Sequence, residues 1–236
     1  MINRLVLLPG MHGTGELFSE FMRMIPEPKH IEAPHYRRDA SPLYNQLQAM
    51  VESVAPTSEN FILLAESYST PLAIQYAATT PQNLRGLILC AGFATSPIRG
   101  WRRSFASWIA PLVFRLPLPT IAMSHFLVGP GAPQSLHTAV RAAIRSVKPK
   151  VLTARLRQIL AVDARIALGK VSVPILYIQA KQDRMVGPSC LEEIRGIKPQ
   201  VDVACIEGPH LILQRKPQQC ADIIMKFLDS LHCTDD

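Results

Sequence analysis

Ser67, Asp183 and His210 are the residues of this 236-residue sequence whose types and order fit nucleophilic acyl transfer. Ser67 follows Phe61-Ile62-Leu63-Leu64-Ala65-Glu66, Asp183 comes just after Ile175-Leu176-Tyr177-Ile178-Gln179-Ala180, and His210 just after Val201-Asp202-Val203-Ala204-Cys205-Ile206. Each run reads as a strand, and in an open parallel sheet the reacting groups gather in the turns beyond the strands' carboxyl ends. A serine hydroxyl is a poor nucleophile at neutral pH. A histidine that removes its proton and later returns it to the leaving group makes it a competent one, provided a carboxylate orients the imidazole and stabilises its charged form. A serine alone after a strand is more often a polar turn residue or a helix cap. The acid and the base further along the chain, each also just past a strand, are what favour chemistry. Asp163, in Leu160-Ala161-Val162-Asp163, is the alternative acid, but its place at the return from a helix-like stretch suits a capping or solvent-facing role.

Six apolar runs supply the strands that would position these residues: Arg4–Leu8, His30–Ala33, Phe61–Ala65, Gly86–Ala91, Ile175–Ala180 and Val201–Ile206. Most are near-continuous rather than alternating, the pattern of strands covered on both faces. Helix-like segments fall between and after them, at Ser41–Val54, Pro71–Ala78, Ser189–Arg195 and Pro217–Leu231. Short strands alternating with helices predict an α/β fold with a doubly wound, mostly parallel sheet. The rhythm breaks between Ala91 and Val173, where about eighty residues separate consecutive strands, far more than one crossover helix needs. We read residues 1–94 and 171–236 as the core and residues 95–170 as an inserted, mostly helical cap over the sheet's carboxyl edge. The first half of the insertion is rich in Pro and aromatics. The second half has helical periodicity, with Val140, Ile144 and Val147 on one stripe and Leu152, Leu156 and Ile159 on another.

With those elements in place, the sequence resembles the α/β-hydrolase superfamily over nearly its whole length. In that superfamily the nucleophile sits on a sharp strand-to-helix turn, usually G-x-S-x-G. Ala65-Glu66-Ser67-Tyr68-Ser69 is similar, with both glycines replaced by other small residues, and Pro71 suits the first turn of the helix that follows. Val173 to Val186 resembles the superfamily's acid strand and loop, and His210 falls before a C-terminal helix, as its histidine does. The resemblance implies a Ser67, Asp183, His210 triad in a serine hydrolase that cleaves carboxylic esters through an acyl-enzyme, with no cofactor and no metal. It also implies an oxyanion hole made by the backbone N–H groups of Tyr68 and of Met11, the latter in the loop Pro9-Gly10-Met11-His12-Gly13-Thr14-Gly15 after the first strand. His12 is either a lining residue of the site or a structural residue of that turn. The pattern is similar to compact bacterial hydrolases with the elbow Glu-Ser-x-Ser/Gly-Gly/Thr-Pro. More distantly, it resembles the carboxylesterases that demethylate pimeloyl-acyl-carrier-protein methyl ester in biotin synthesis. Thioesterase, lipase and C–C hydrolase activities stay open.

The net charge of +7 is regional. From Thr95 to Lys170 twelve Lys and Arg face Asp163 alone, a net of +11, while the remainder of the chain is net −4. Arg141, Arg145 and Lys148 fall at i, i+4 and i+7, on one face of a predicted helix. With Arg155 and Arg157 they form a candidate binding surface for an acidic macromolecule, and an acyl carrier protein suits an esterase of the resembled kind. An anionic membrane surface and an ordinary solvated face are the other readings of the same charge. No recognised nucleic-acid motif accompanies it.

Gly10-x-x-Gly13-x-Gly15 after a first strand, with Glu32 as a ribose acceptor, invites a dinucleotide site. The spacing is not G-x-G-x-x-G, however, and that reading gives the three reactive residues no role. A catalytically silent binding protein of the same fold is the non-enzymatic alternative, and the complete triad stands against it. A composition 48% hydrophobic and 18% charged belongs to globular chains. Leu5 to Leu8 is too short for the apolar region of a signal peptide. Phe105 to Val128 is interrupted by Arg115, His125 and three prolines, so it lacks the run of about 20 apolar residues that a membrane span needs. The five cysteines (Cys90, Cys190, Cys205, Cys220, Cys233) show neither a C-x-x-C pair nor a zinc spacing. They read as reduced, mostly buried thiols of a cytoplasmic protein.

Overall fold

Strands without a polar face must be covered on both sides, and the architecture follows from that requirement. The computed structural model describes residues 4–26, 30–116 and 119–232. Its strands are β1 (Arg4–Leu8), β2 (His30–Glu32), β3 (Phe61–Glu66), β4 (Leu84–Cys90), β5 (Ile175–Ala180) and β6 (Asp202–Ile206). They form one sheet in the order β2-β1-β3-β4-β5-β6, with every neighbouring pair parallel. In β3, Phe61, Leu63 and Ala65 enter one core cluster while Ile62 and Leu64 enter the other, as the two-residue period of a strand dictates. The first cluster is closed by α2 (Tyr44–Val54), α3 (Thr70–Ala77), α8 (Arg165–Lys170) and α9 (Pro188–Ile197). The second is closed by α1 (Ser19–Met24), α10 (Ile212–Arg215) and α11 (Pro217–His232). This is the doubly wound parallel sheet expected from the sequence. β2 lies on one side of β1 and β3 on the other, so the chain leaves β1 and β3 in opposite directions and opens a crevice at their carboxyl ends.

Between β4 and β5 the chain forms α4 (Trp101–Val113), α5 (Thr120–Met123), a π turn at Ser124–Val128, α6 (Gln134–Arg145), α7 (Pro149–Ala161) and then α8. Pro149 occupies the first turn of α7, where its missing N–H would be unpaired anyway. α6 buries His137, Val140 and Ala143 along one stripe, and Val151, Arg155 and Ile159 share a stripe of α7. These helices rest on loops at the carboxyl edge of the sheet. Val147, Val151 and Leu152 pack with Met11 of the loop after β1, and Val128, Val140 and Ala143 pack with Leu17 and Leu211. α4 differs, since Ala110 is its only buried residue.

Among the described residues, no helix is long and apolar enough to cross a membrane. Cys90, Cys190 and Cys220 are buried free thiols and Cys205 is exposed, while Cys233 lies outside the described residues. Burial pushes Cys190 up to about 11 and Cys220 up to about 12, so neither offers a thiolate at neutral pH.

Candidate active site

β3 delivers Ser67 through a sharp turn. Glu66 is still extended, Ser67 takes φ +50°, and a single 3-10 turn at Ser67–Ser69 leads into α3. A non-glycine residue held in this region costs about 1–3 kcal/mol, so surrounding contacts must fix it. The Thr70 hydroxyl does so, donating to Ser67 O at 2.8 Å while accepting the N–H of Phe93 at 3.1 Å. Asp183 stands three residues past the end of β5. Its Oδ1 accepts the N–H groups of Met185 and Val186 at 2.7 and 2.9 Å, which leaves Oδ2 for His210 Nδ1 at 2.7 Å. His210 follows β6 on a loop tied to the acid turn by Gln182 N–H donating to Gly208 O at 2.9 Å. His210 Nε2 lies 2.9 Å from Ser67 Oγ.

An ionised Asp183 can only accept, so Nδ1 of His210 carries the proton and Nε2 of the neutral ring faces the serine hydroxyl. The two side chains are 5% and 2% exposed, which removes most competing water. Burial by itself pulls the His210 pKa down. The charge and hydrogen bond of Asp183, with a smaller contribution from Glu66, outweigh it and hold the imidazole above its ordinary 6.5. Such a group suits a general base at neutral pH.

The loop after β1, which carries Met11, is fixed from two sides. From α7, the Arg155 guanidinium donates to Met11 O and to Arg37 O, both at 2.7 Å, and lies 5.6 Å from the Tyr36 ring centroid. From the serine turn, the Ser69 hydroxyl donates to Pro9 O, and the Tyr36 hydroxyl lies 2.5 Å from Ser69 Oγ, which it reaches as donor. Ser69 stands at the last glycine position of G-x-S-x-G. His12 is a structural residue of the turn: its Nδ1 accepts the Thr14 N–H at 3.2 Å, and its Nε2 faces the fully buried Glu66 carboxylate at 3.9 Å.

The glycines of the same loop answer to protein packing. Gly13 has φ +71°, and a Cβ there would stand 2.7 Å from Arg155 Nη1 and 2.8 Å from Tyr36 Cβ. A Cβ on Gly15 would stand 2.7 Å from Ala33 Cβ. The dinucleotide reading thereby loses its motif. Tyr68, the other expected oxyanion residue, is fully buried, and two contacts that link segments distant in the sequence fix it. Its hydroxyl donates to Gln158 Oε1 at 2.6 Å, and its carbonyl accepts from the Tyr44 hydroxyl at 2.9 Å.

Arg155 corrects the sequence reading, which counted it among the cations open to a partner. It is 1% exposed, and its donors are spent on main-chain carbonyls inside the protein. Arg141 is half-buried and donates to Thr120 Oγ1 at 2.6 Å, whereas Arg145, Lys148 and Arg157 are exposed. Asp163, the alternative acid, is held by Arg165 through the backbone N–H at 3.1 Å and two guanidinium nitrogens at 2.9 and 2.6 Å. Those bonds lower its pKa to about 2 and give it the capping, solvent-facing role expected of it. Among the described residues, no cluster of three or more His, Cys, Asp or Glu could hold a metal.

A parallel sheet of this order, with serine, aspartate and histidine arriving in that sequence beyond its strands, is the architecture of the α/β-hydrolases. The sequence model of one of their families, Hydrolase_4 (serine aminopeptidase, S33), matches residues 30–206, and the chain belongs to that family. The match takes in Ser67 and Asp183 and ends just before His210. The chain is also 29% identical over 199 residues to the biotin biosynthesis bifunctional protein BioHC of Cellvibrio japonicus (strain Ueda107). That alignment covers 78% of this chain and 38% of the relative, so the chain spans well under half of the relative's length. Among solved structures, bromoperoxidase from Bacillus anthracis superposes with a TM-score of 0.85 at 14% identity, covering 97% of this chain and 92% of that one. A thermophilic esterase from Thermogutta terrifontis superposes with a TM-score of 0.79 at 19% identity, covering 97% and 90%. Likeness at these identities establishes the shared fold.

Proposed function

We propose that the chain is a serine hydrolase that cleaves a carboxylic ester, with Ser67 as nucleophile, His210 as general base and acid, and Asp183 as the carboxylate that orients the imidazole. The observation that carries this reading is the hydrogen-bonded series from Asp183 Oδ2 through His210 to Ser67 Oγ, at 2.7 and 2.9 Å. As Ser67 Oγ bonds to the ester carbonyl carbon, His210 Nε2 takes its proton, and Asp183 stabilises the resulting imidazolium. The charge gathering on the carbonyl oxygen is met by the N–H groups of Met11 and Tyr68. Collapse expels the alcohol, protonated by His210, and leaves the acyl group on Ser67. A water deprotonated by His210 then repeats the sequence and releases the acid.

A carrier-linked methyl ester such as pimeloyl-acyl-carrier-protein methyl ester is the narrower candidate substrate. It is supported by the biotin-biosynthesis name of the Cellvibrio relative and by the exposed cations Arg145 and Lys148. The test of the reaction class is a fluorophosphonate probe. The wild type is expected to be labelled once, and Ser67→Ala to lose both the label and several orders of magnitude in turnover of p-nitrophenyl esters. Undiminished labelling of the Ala variant removes the assignment. Faster turnover of aminoacyl anilides than of esters would move the substrate class toward the peptidases of the family's name.

A further inference from the structure

α4 carries an apolar face that no other described element covers. Trp101, Phe105, Trp108 and Leu112 recur at i, i+4, i+7 and i+11, one side of a helix, and are 74%, 51%, 79% and 62% exposed. Leu116 and Ile121, just beyond the helix, are 60% and 84% exposed. The other side of α4 packs on α7. Scattered exposed apolar residues need no explanation, but a continuous aromatic stripe marks a surface meant to be covered.

The surroundings say by what. Arg102, Arg103 and Arg115 are exposed beside the stripe. Two clefts of about 520 Å³ each open next to it, the first lined by Arg103, Trp108 and Arg157, the second by Arg115, Lys148, Lys150 and Arg157 among others. No acidic residue lines either cleft. The one acid between residues 95 and 170, Asp163, is neutralised by Arg165 at 2.6 Å.

We propose that α4 docks the protein on an anionic phospholipid surface, the aromatic stripe entering the boundary between headgroups and acyl chains and the two cationic clefts taking lipid phosphates. Tryptophan settles at that boundary, where its ring is buried and its N–H stays wet, and long cationic side chains lie along apolar surface with their heads at the phosphates. An anionic leaflet supplies both the apolar cover and the opposite charge. A second copy of the chain would set like charges face to face. An acidic protein surface would meet the cations and leave the stripe of large apolar side chains against polar groups. This docking uses no residue of the triad or of the loop after β1; it shares Lys148 with the surface proposed for a carrier, and the carrier arm of the test separates the two.

Both tryptophans of the chain lie on this face, so intrinsic fluorescence reports on it directly. The full chain is titrated with vesicles of phosphatidylcholine alone and of phosphatidylcholine with phosphatidylglycerol, at low and high salt, and co-sedimentation is measured alongside. The expected result is a blue shift and co-sedimentation with the anionic vesicles only, both weakened by salt. Arg102→Gln with Arg103→Gln should lower the vesicle partition coefficient about 25-fold, at about fivefold for each cation near an anionic surface. Trp108→Ser should lower it as well, and hydrolysis of a small water-soluble ester should be unchanged in both variants. No spectral shift with anionic vesicles overturns the proposal, as does an equal shift with phosphatidylcholine alone. A shift produced by an acidic carrier protein but not by vesicles would assign the face to a protein partner instead. A lipid-free shift that tracks self-association would assign it to a second copy.

Discussion

Replacing Arg155 with methionine tests whether the inserted helices set the geometry of the oxyanion loop. The guanidinium is 1% exposed and bonds Met11 O and Arg37 O at 2.7 Å each. Burial pulls its pKa below the ordinary arginine value, a sign that the charge is held at some cost. Methionine keeps most of the volume of the stem and removes both donors. Each carbonyl left unpaired costs about 1–3 kcal/mol, and removing a buried charge returns part of that. A net loss of about 3 kcal/mol lowers Tm by about 6–12 °C, at about 2–4 °C per kcal/mol for a chain of this size. The catalytic effect is separate. Losing one oxyanion donor costs about 10²–10³ in kcat, which sets the ceiling for displacing Met11. That contact forms only in the transition state, so KM should stay within about threefold. Steady-state hydrolysis of p-nitrophenyl butyrate, measured well below the variant's Tm, is expected to show kcat reduced by about 10- to 10³-fold. Arg155→Lys should fall between, because one ammonium cannot bridge two carbonyls as the planar fork does. A variant with lowered Tm but wild-type kcat would refute the link between Arg155 and the oxyanion loop. One unchanged in both would refute the clamp itself.

Asp183→Asn should lose about 10³–10⁴ in kcat with the fold retained, while Asp163→Asn, whose carboxylate serves Arg165, stays within about threefold; the reverse pattern would make Asp163 the acid. In the proposed mechanism only neutral His210 takes the serine proton, and its pKa is held above 6.5, so kcat/KM should rise with pH through a midpoint above 6.5. A wild-type midpoint at or below that value contradicts the geometry, and Asp183→Asn, which removes the main raising charge, should move it down. Arg145→Glu with Lys148→Glu should lower kcat/KM for a carrier-linked ester, most at low salt, while the free methyl ester stays near wild type. Equal losses on both esters would count against carrier docking. Arg141 is left in place because it holds Thr120.

The proposed triad is legible in the sequence because each member stands just past an apolar, strand-like run, two of them buried strands, β3 and β5, and the third the largely exposed edge strand β6. Turn positions follow from strand positions, even though boundaries shift: β3 continues through Glu66, whose carboxylate is buried beside His12, and β2 stops at Glu32. Arg155 shows what a count of charges conceals. It lies four residues after Val151 and four before Ile159, on the stripe of α7 that faces inward, so helical phase places it inside although its charge suggests the surface. α4 is obscured for the opposite reason. Its apolar residues are in helical register, but Arg102, Arg103 and Pro111 make the segment look irregular; Pro111 falls in the last turn, where its missing N–H forfeits one intrahelical bond close to the helix end. Periodicity gives the direction of an apolar face and not whether anything lies against it, which depends on how the insertion folds back.

The departures of this chain from the common elbow pattern fit together once the loop after β1 is included. A glycine at position 69 would bring strand and helix close but would leave Pro9 O without the serine hydroxyl that it accepts from here. Ser69 also receives Tyr36, and Tyr36 stacks under the Arg155 guanidinium that bonds Met11 O. The serine turn from β3, the Met11 loop from β1 and the inserted helix α7 are therefore members of one buried polar network at the point where the strand order reverses. In a low-dielectric interior such bonds reinforce one another, and each unsatisfied member would be costly. The loop that carries Met11 is thus set before any substrate arrives, which is the condition the proposed oxyanion role requires, since fixed dipoles stabilise a developing charge without reorganising. The tight packing that excludes a Cβ at Gly13 is a consequence of the same clamp, so glycine is retained in the loop where the guanidinium needs room and dispensed with at the elbow, where a hydroxyl serves the network better.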